Sequence, residues 1–302
     1  MSTNFDVVID RRRLKRKVIF WRVAAVFLLI MLLLTAVPGG GSPVKSDYIA
    51  RITVEGVILE NRFRDEMIRK IAQDDAAKAL IVHVNSPGGG STASEQLYHA
   101  LRSVADQKPV VITMGTVAAS GGYIAALAGD HIIARETTIT GSIGVIMQYS
   151  YFGELMDKIG IGTDQVASGK MKGQPDIRDA MSDETRAVFQ EMIDDSFDWF
   201  LGLVSTRRGM DIEQARPLAD GRVYTGRMAQ KLGLVDTIGG ESQALEWLKA
   251  EHEIAANLPI RDVDKSPQDR FLEEFMSSIV KKTPFNEALS LDGLASVWQP
   301  TR

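Results

Sequence analysis

Residues 78–90, Lys78-Ala79-Leu80-Ile81-Val82-His83-Val84-Asn85-Ser86-Pro87-Gly88-Gly89-Gly90, decide the fold. The first eight form an almost continuous apolar run, and a strand that is apolar on successive rather than alternate residues is buried on both faces, as in a parallel sheet covered by helices. VVITM at 110–114 repeats the signature, and 48–60 reads as a further strand. Helical patterns at 62–74 and 91–105 separate these strands, so the order alternates as in a parallel α/β domain. The glycines fall where a buried strand ends, which is where open α/β sheets build their sites. Successive glycines there let backbone N–H groups approach a ligand. A plain glycine-rich turn is the structural alternative, and with no Lys-Ser/Thr pair following, the segment is not a Walker A phosphate loop.

Two further segments have the same placement. In Met114-Gly115-Thr116-Val117-Ala118-Ala119-Ser120-Gly121-Gly122-Tyr123 a strand turns through small residues into a helix, with Ser120 at the turn. A serine there either exposes its hydroxyl beside the Gly121 N–H, as a nucleophile does, or caps the helix. The other segment is Ser168-Gly169-Lys170-Met171-Lys172-Gly173. A serine nucleophile needs a base, and none of the four histidines, His83, His99, His131 and His252, stands in a Ser-His-Asp order. A desolvated lysine loses its charge readily enough to take that role, while a lysine in a solvated loop has none.

Composition narrows the remaining classes. The 302 residues are 45% hydrophobic and 25% charged, enough for one catalytic domain with appendages. A net charge of -4 supplies no basic field for nucleic acid, so no nucleic-acid partner is expected. The absence of cysteine removes disulfides, thiolate nucleophiles and Cys-ligated zinc. No HExxH or HxH spacing occurs, so no metal is expected. Ser182-Asp183-Glu184-Thr185 opens a long helix that runs to Arg208, and its stripe of Val188, Met192, Ile193, Phe197, Phe200, Leu201 and Val204 reads as a packing face without chemistry.

At the N-terminus a basic cluster in 1–17 precedes 18–37, whose only charge is Arg22. Those residues make about 30 Å of helix, enough to cross a bilayer once with Arg22 at the interface. The positive-inside rule keeps 1–17 in the cytoplasm and sends the rest to the outer side of the plasma (inner) membrane, periplasmic or extracellular. A cleaved signal peptide is the competing reading. Residues 38–47 form a Gly/Pro/Ser tether, 48–255 the catalytic domain, and 256–302 a weakly patterned tail with an amphipathic stretch at 270–281.

Taken together, NSPGG at 85–89, ASGGYIAA at 119–126, TGSIGV at 140–145, SGKMK at 168–172 and DGRVYTGRMAQKLGLVD at 220–236 resemble the signal peptide peptidase A family of serine peptidases. The resemblance runs from about residue 48 to 249. It implies an α/β domain of the Clp protease/crotonase type with repeated β-β-α units, here preceded by one transmembrane helix. It further implies a Ser-Lys dyad of Ser120 as nucleophile and Lys172 as base, with Lys170 its near neighbour. Gly88 and Gly121 then correspond to the oxyanion donors and Ser142 to a hydroxyl that orients the lysine. Gly173 stands where relatives commonly carry an acid. No cofactor is implied. The implied substrates are signal peptide remnants and similar apolar peptides at the membrane, and the implied assembly is a homo-oligomer with each site shared between subunits. A crotonase-like acyl-CoA enzyme and a non-catalytic peptide-binding membrane scaffold are the alternative functions.

Overall fold

The structure, a computed structural model, describes residues 18, 20–28 and 46–263. The basic segment 1–17, half of the 18–37 span, most of the tether and the 270–281 stretch lie outside the described residues. The chain divides into two units, 1–46 and 47–302. In the first, Val18 and residues 20–28 are helical. Among the described residues no helix is long and apolar enough to cross a membrane.

The second unit is built on one sheet. Its strands are β1 (Tyr48–Ile58), β2 (Ala77–Gly89), β3 (Val110–Ala119), β4 (His131–Ala134), β5 (Ile139–Gly141), β6 (Val223–Thr225), β7 (Thr237–Ile238) and β8 (Ile260–Asp262). The order is β6-β5-β3-β2-β1-β8, with β4 joining β3 to β7. Pairing is parallel except between β5 and β6. The helices are α1 (Arg62–Ala72), α2 (Ser91–Ala105), α3 (Gly121–Ala126), α4 (Gly153–Lys158), α5 (Asp183–Arg208), α6 (Ile212–Ala215), α7 (Gly226–Lys231) and α8 (Glu241–His252).

The apolar runs are explained by two cores, one on each face. Ala50, Ile52, Leu80, Val82 and Ile112 point to the core that contains α2 and α3, where Leu97, Leu101 and Tyr123 are buried. The intervening Ile49, Ala79, Ile81, Val111 and Ile133 point the other way, against Ala244 and Leu248 of α8. With a side-chain period of two, burial on both faces demands an apolar residue at every position.

The expected β-β-α repeat takes a different form. The order through α3 is β-α-β-α-β-α. Each long strand does the work of two because a register shift divides it, at Glu55/Val57 in β1 and Val84/Ser86 in β2. β3 likewise pairs β4 through residues 111–113 and β5 through residues 117–119. Such irregularities bend a strand and re-aim its end. Here they turn the C-terminal ends of β2 and β3, with Gly88 and Ser120, toward each other.

The Ser182 side chain accepts from Thr185 N, Asp183 and Glu184 occupy the first turn, and Gly209 closes α5 in the left-handed region at φ 60°. The cap and first-turn acids are the start read from the sequence, and the left-handed glycine ends the helix at Arg208 as expected.

Candidate active site

Ser120 stands at the N-cap position of α3 but makes no side-chain capping bond. Its backbone adopts φ 53° and ψ −121°, a conformation that costs a non-glycine residue roughly 1–3 kcal/mol. The surroundings hold it there. Its N–H donates to Gly141 O of β5 at 2.9 Å, and its carbonyl accepts from Tyr123 N at 2.8 Å and Ile124 N at 3.0 Å. Ser120 is half-buried, and its hydroxyl is uncommitted to a cap.

Gly88 lies against this turn. A Cβ there would sit 2.9 Å from Gly121 N and 3.0 Å from Ser120 Cβ, and its φ of 109° is one that side chains rarely adopt. The Gly88 N–H donates to Ser86 Oγ at 3.1 Å, because the buried Ser86 hydroxyl folds back on the amide two residues on. Gly121 opens α3, so its N–H has no acceptor within that helix. The two amides expected to act together are thus neighbours, and one of them already has a hydroxyl partner.

The TGSIGV segment brings the next residue. Thr140 Oγ1 donates to Ala118 O at 2.7 Å, which locks β5 beside the end of β3. Ser142 follows with φ 50°, and its N–H donates to Arg222 O at 2.8 Å. Ser120 and Ser142 line one cleft of about 350 Å³, together with Val145, Ile146, Ile193, Asp194, Phe197 and Asp220. A smaller cleft of about 20 Å³ beside it is lined by Ser120, Gly121, Ile124, Trp199 and Phe200 among others. The 220–236 segment holds the site from behind: the buried Tyr123 hydroxyl donates to Leu234 O at 2.8 Å. Burial of that hydroxyl pushes its proton affinity up, keeping it a donor.

Lys172 is not among the residues lining either cleft of its own chain. It lies exposed in the 168–173 turn, its N–H donating to Gly169 O at 3.1 Å. One chain therefore does not supply the burial that the base role requires. Lys170 is also exposed and lies 3.9 Å from Glu184.

The histidines stand elsewhere. His131 pairs through Nε2 with Thr237 Oγ1 at 2.8 Å and stacks on Trp247, and His83 Nδ1 faces Thr113 Oγ1 at 3.2 Å. His83 borders a separate cavity of about 350 Å³, whose Arg51 is held by Asp262 and Glu241. Among the described residues no group of three or more His, Asp or Glu side chains is placed to hold a metal.

Burial lowers the proton affinity of both His83 and His131. Below the ordinary histidine value of about 6.5, the unfolded chain takes up protons that the folded chain refuses. This contribution is therefore fully present above that pH and is lost progressively as the pH falls toward the depressed folded values. Going from about pH 7.5 to about pH 5.5, the urea midpoint should fall further for the wild type than for the His83→Asn/His131→Asn variant.

Sequence reasoning assigned α5 to packing alone. Phe200, Leu201 and Val204 are buried as that reading requires, but Ile193 and Phe197 form a wall of the Ser120 cleft and Met192 is exposed. Spacing does not distinguish an apolar residue that faces a core from one that faces a groove.

A half-buried, uncapped serine with flanking backbone donors, set at the C-terminal ends of parallel strands beside a partly apolar cleft, is an arrangement suited to a hydrolase. The chain matches peptidase family S49 over residues 102–255 and Clp protease over residues 48–148. It belongs to peptidase family S49, and its mixed α/β domain is of the Clp protease type. A Synechocystis sp. chain provisionally named a protease is 35% identical, covering 73% of this chain and 78% of its own. An Enterococcus faecium chain provisionally named signal peptide peptidase is 34% identical, covering 68% of this chain and 64% of its own. The chloroplastic serine protease SPPA of Arabidopsis thaliana is 32% identical, and this chain spans 32% of its length. Among solved structures, a mutant of a membrane-bound stomatin-specific protease overlays 73% of this chain and 99% of its own, with TM-score 0.49 and 15% identity.

Proposed function

We infer that this chain is a membrane-anchored serine endopeptidase that degrades signal peptide remnants and similar apolar peptides. In this reading Ser120 is the nucleophile and Lys172 of a neighbouring copy is the general base. The observation that carries it is Ser120 itself, which pays backbone strain at φ 53°, forms no helix cap and opens onto a cleft beside Gly88 and Gly121. Neutral Lys172 takes the hydroxyl proton as Oγ attacks the peptide carbonyl, and the lysine returns that proton to the leaving amine. The Gly121 and Gly88 N–H groups receive the oxyanion. The Gly88 amide exchanges its 3.1 Å bond to a neutral hydroxyl for a charged acceptor, which binds about twice as strongly. Water then hydrolyses the acyl-enzyme. These steps need no cofactor.

Several features support the assembly and location in this reading. The segment that carries Lys172 exposes Phe152, Leu155, Ile159, Val166 and Ile177, with Val166 98% exposed. That apolar load suits a subunit contact better than water. The 18–37 run and its basic flank suit a single-pass anchor with the catalytic domain on the outer side of the plasma membrane. The name of the Enterococcus faecium relative agrees with signal peptides as substrates.

The direct test is covalent. A fluorophosphonate probe incubated with the full chain in detergent micelles should phosphonylate the peptide containing Ser120, with fluoride as the leaving group and a mass gain equal to the probe less HF, and Ser120→Ala should remove the adduct. Labelling that persists in Ser120→Ala would place the nucleophile elsewhere, and an unlabelled wild type would favour a peptide-binding scaffold.

A further inference from the structure

The Ser120 cleft contains a charge that an apolar substrate does not explain. Val145, Ile146, Ile193 and Phe197 give it an apolar wall, and two carboxylates, Asp194 and Asp220, are also part of the lining. Asp220 is already engaged: Arg222 Nε lies 2.8 and 2.7 Å from its two oxygens, and this bonding holds its carboxyl below the usual range. Asp194 has a neutral partner, Gln190 Nε2, at 2.7 Å. An ionised carboxylate offers about four acceptor positions, so one amide hydrogen bond leaves both its charge and most of its acceptor capacity available. Asp194 and Ile193 are adjacent on α5, and Phe197 lies one turn further on, so one short stretch of helix presents an apolar surface and a carboxylate side by side.

A lysine or arginine has the complementary construction, with an apolar stem ending in a cation. The neighbouring cleft, at about 20 Å³, holds no large side chain, so the bulky residue beside the attacked carbonyl belongs in the larger one. We propose that Asp194 makes the 350 Å³ cleft a subsite for lysine or arginine beside the scissile bond, so that cleavage falls where the basic end of a peptide meets its apolar run. This rests on the reading of Ser120 as the nucleophile, and it gives the substrate a second requirement besides apolarity. Because Asp194 is exposed, the preference is modest and salt-dependent, about fivefold at low ionic strength.

The test compares kcat/KM for two fluorogenic peptides that differ only in lysine or leucine before the cleaved bond, using the full chain in detergent micelles. The wild type should favour the lysine peptide about fivefold, with the ratio falling toward one as salt is added. Asp194→Asn should bring the ratio near one through KM, Asp194→Lys should invert it, and Asp194→Glu should keep it above one. A ratio unmoved by Asp194→Asn, or a wild type that prefers leucine, overturns the subsite. Ser120→Ala should stop cleavage of both peptides. If it does not, the nucleophile assignment fails, an outcome separate from any change in ratio.

Discussion

Mixing Ser120→Ala chains with Lys172→Ala chains should restore peptidase activity that neither variant shows alone. Each single variant should lose at least about a thousandfold in kcat/KM, because a nucleophile and its base act as a unit and removing either leaves only binding and oxyanion stabilisation. The expectation of rescue comes from geometry. Ser120, Gly88, Gly121 and Ser142 converge on one end of the sheet, but Lys172 of the same chain lies exposed in the 168–173 turn and lines neither cleft at Ser120. A base supplied by a neighbouring copy resolves this: a Lys172→Ala chain contributes an intact Ser120, and an adjoining Ser120→Ala chain contributes the lysine. With random assembly of equal amounts, about one quarter of the sites would be complete. The measurement is turnover of a fluorogenic apolar peptide after the two variants are co-expressed. A mixture as inactive as its components would place the base within the chain that carries the serine, and a Lys172→Ala chain that stays active on its own would make the base a residue other than Lys172.

The same contrast separates what the sequence makes legible from what it does not. The strands were readable because burial on both faces forces an apolar residue at every position from Ala79 to Val82, a pattern that solvent-facing strands do not produce. Both ends of α5 were readable because caps are local chemistry: Ser182 accepts from Thr185 N, and Gly209 adopts the left-handed turn. Ser120 was ambiguous because a nucleophile and an N-cap occupy the same place in sequence. Only the backbone angle and the missing cap bond separate them. Two features were hidden. The division of β1, β2 and β3 by register shifts depends on which neighbour each half pairs with, a long-range property. The cleft wall at Ile193, Asp194 and Phe197 depends on where α5 crosses Ser120, and helical periodicity fixes only which residues share a face. The partnership of Gly88 N–H with Ser86 Oγ was also unread, although a serine two residues before an amide in a turn is the local signal for it.

Three alanine substitutions in consecutive glycines should have three different outcomes, and the largest is that of Gly89→Ala. A Cβ at Gly89 would lie 2.0 Å from Ile58 O, 2.6 Å from Ile58 N and 2.7 Å from Ile58 C, all backbone atoms of the paired β1 strand. No rotamer change relieves such a clash, so β1 and β2 must separate where Gly90 N donates to Ile58 O. The cost should reach or exceed the upper end of overpacking penalties, about 3 kcal/mol, and activity should disappear with the fold. Gly88→Ala should act mainly on catalysis. Its Cβ would press on Gly121 N at 2.9 Å and Ser120 Cβ at 3.0 Å and strain a backbone at φ 109°, displacing the donors and the nucleophile together. A fall of about a hundredfold in kcat corresponds to loss of one oxyanion donor. Gly90→Ala should be the mild member, because its Cβ would meet Ala93 Cβ at an ordinary 3.7 Å and its backbone at φ −63° suits any residue. It should cost about 1 kcal/mol or less, the difference between glycine and alanine at an N-cap. Urea midpoints and kcat for the three variants measure the order directly. If Gly89→Ala is as stable as the wild type, β2 does not reach its last glycine against β1. If Gly90→Ala is as inactive as Gly88→Ala, the donor at this turn belongs to a different glycine.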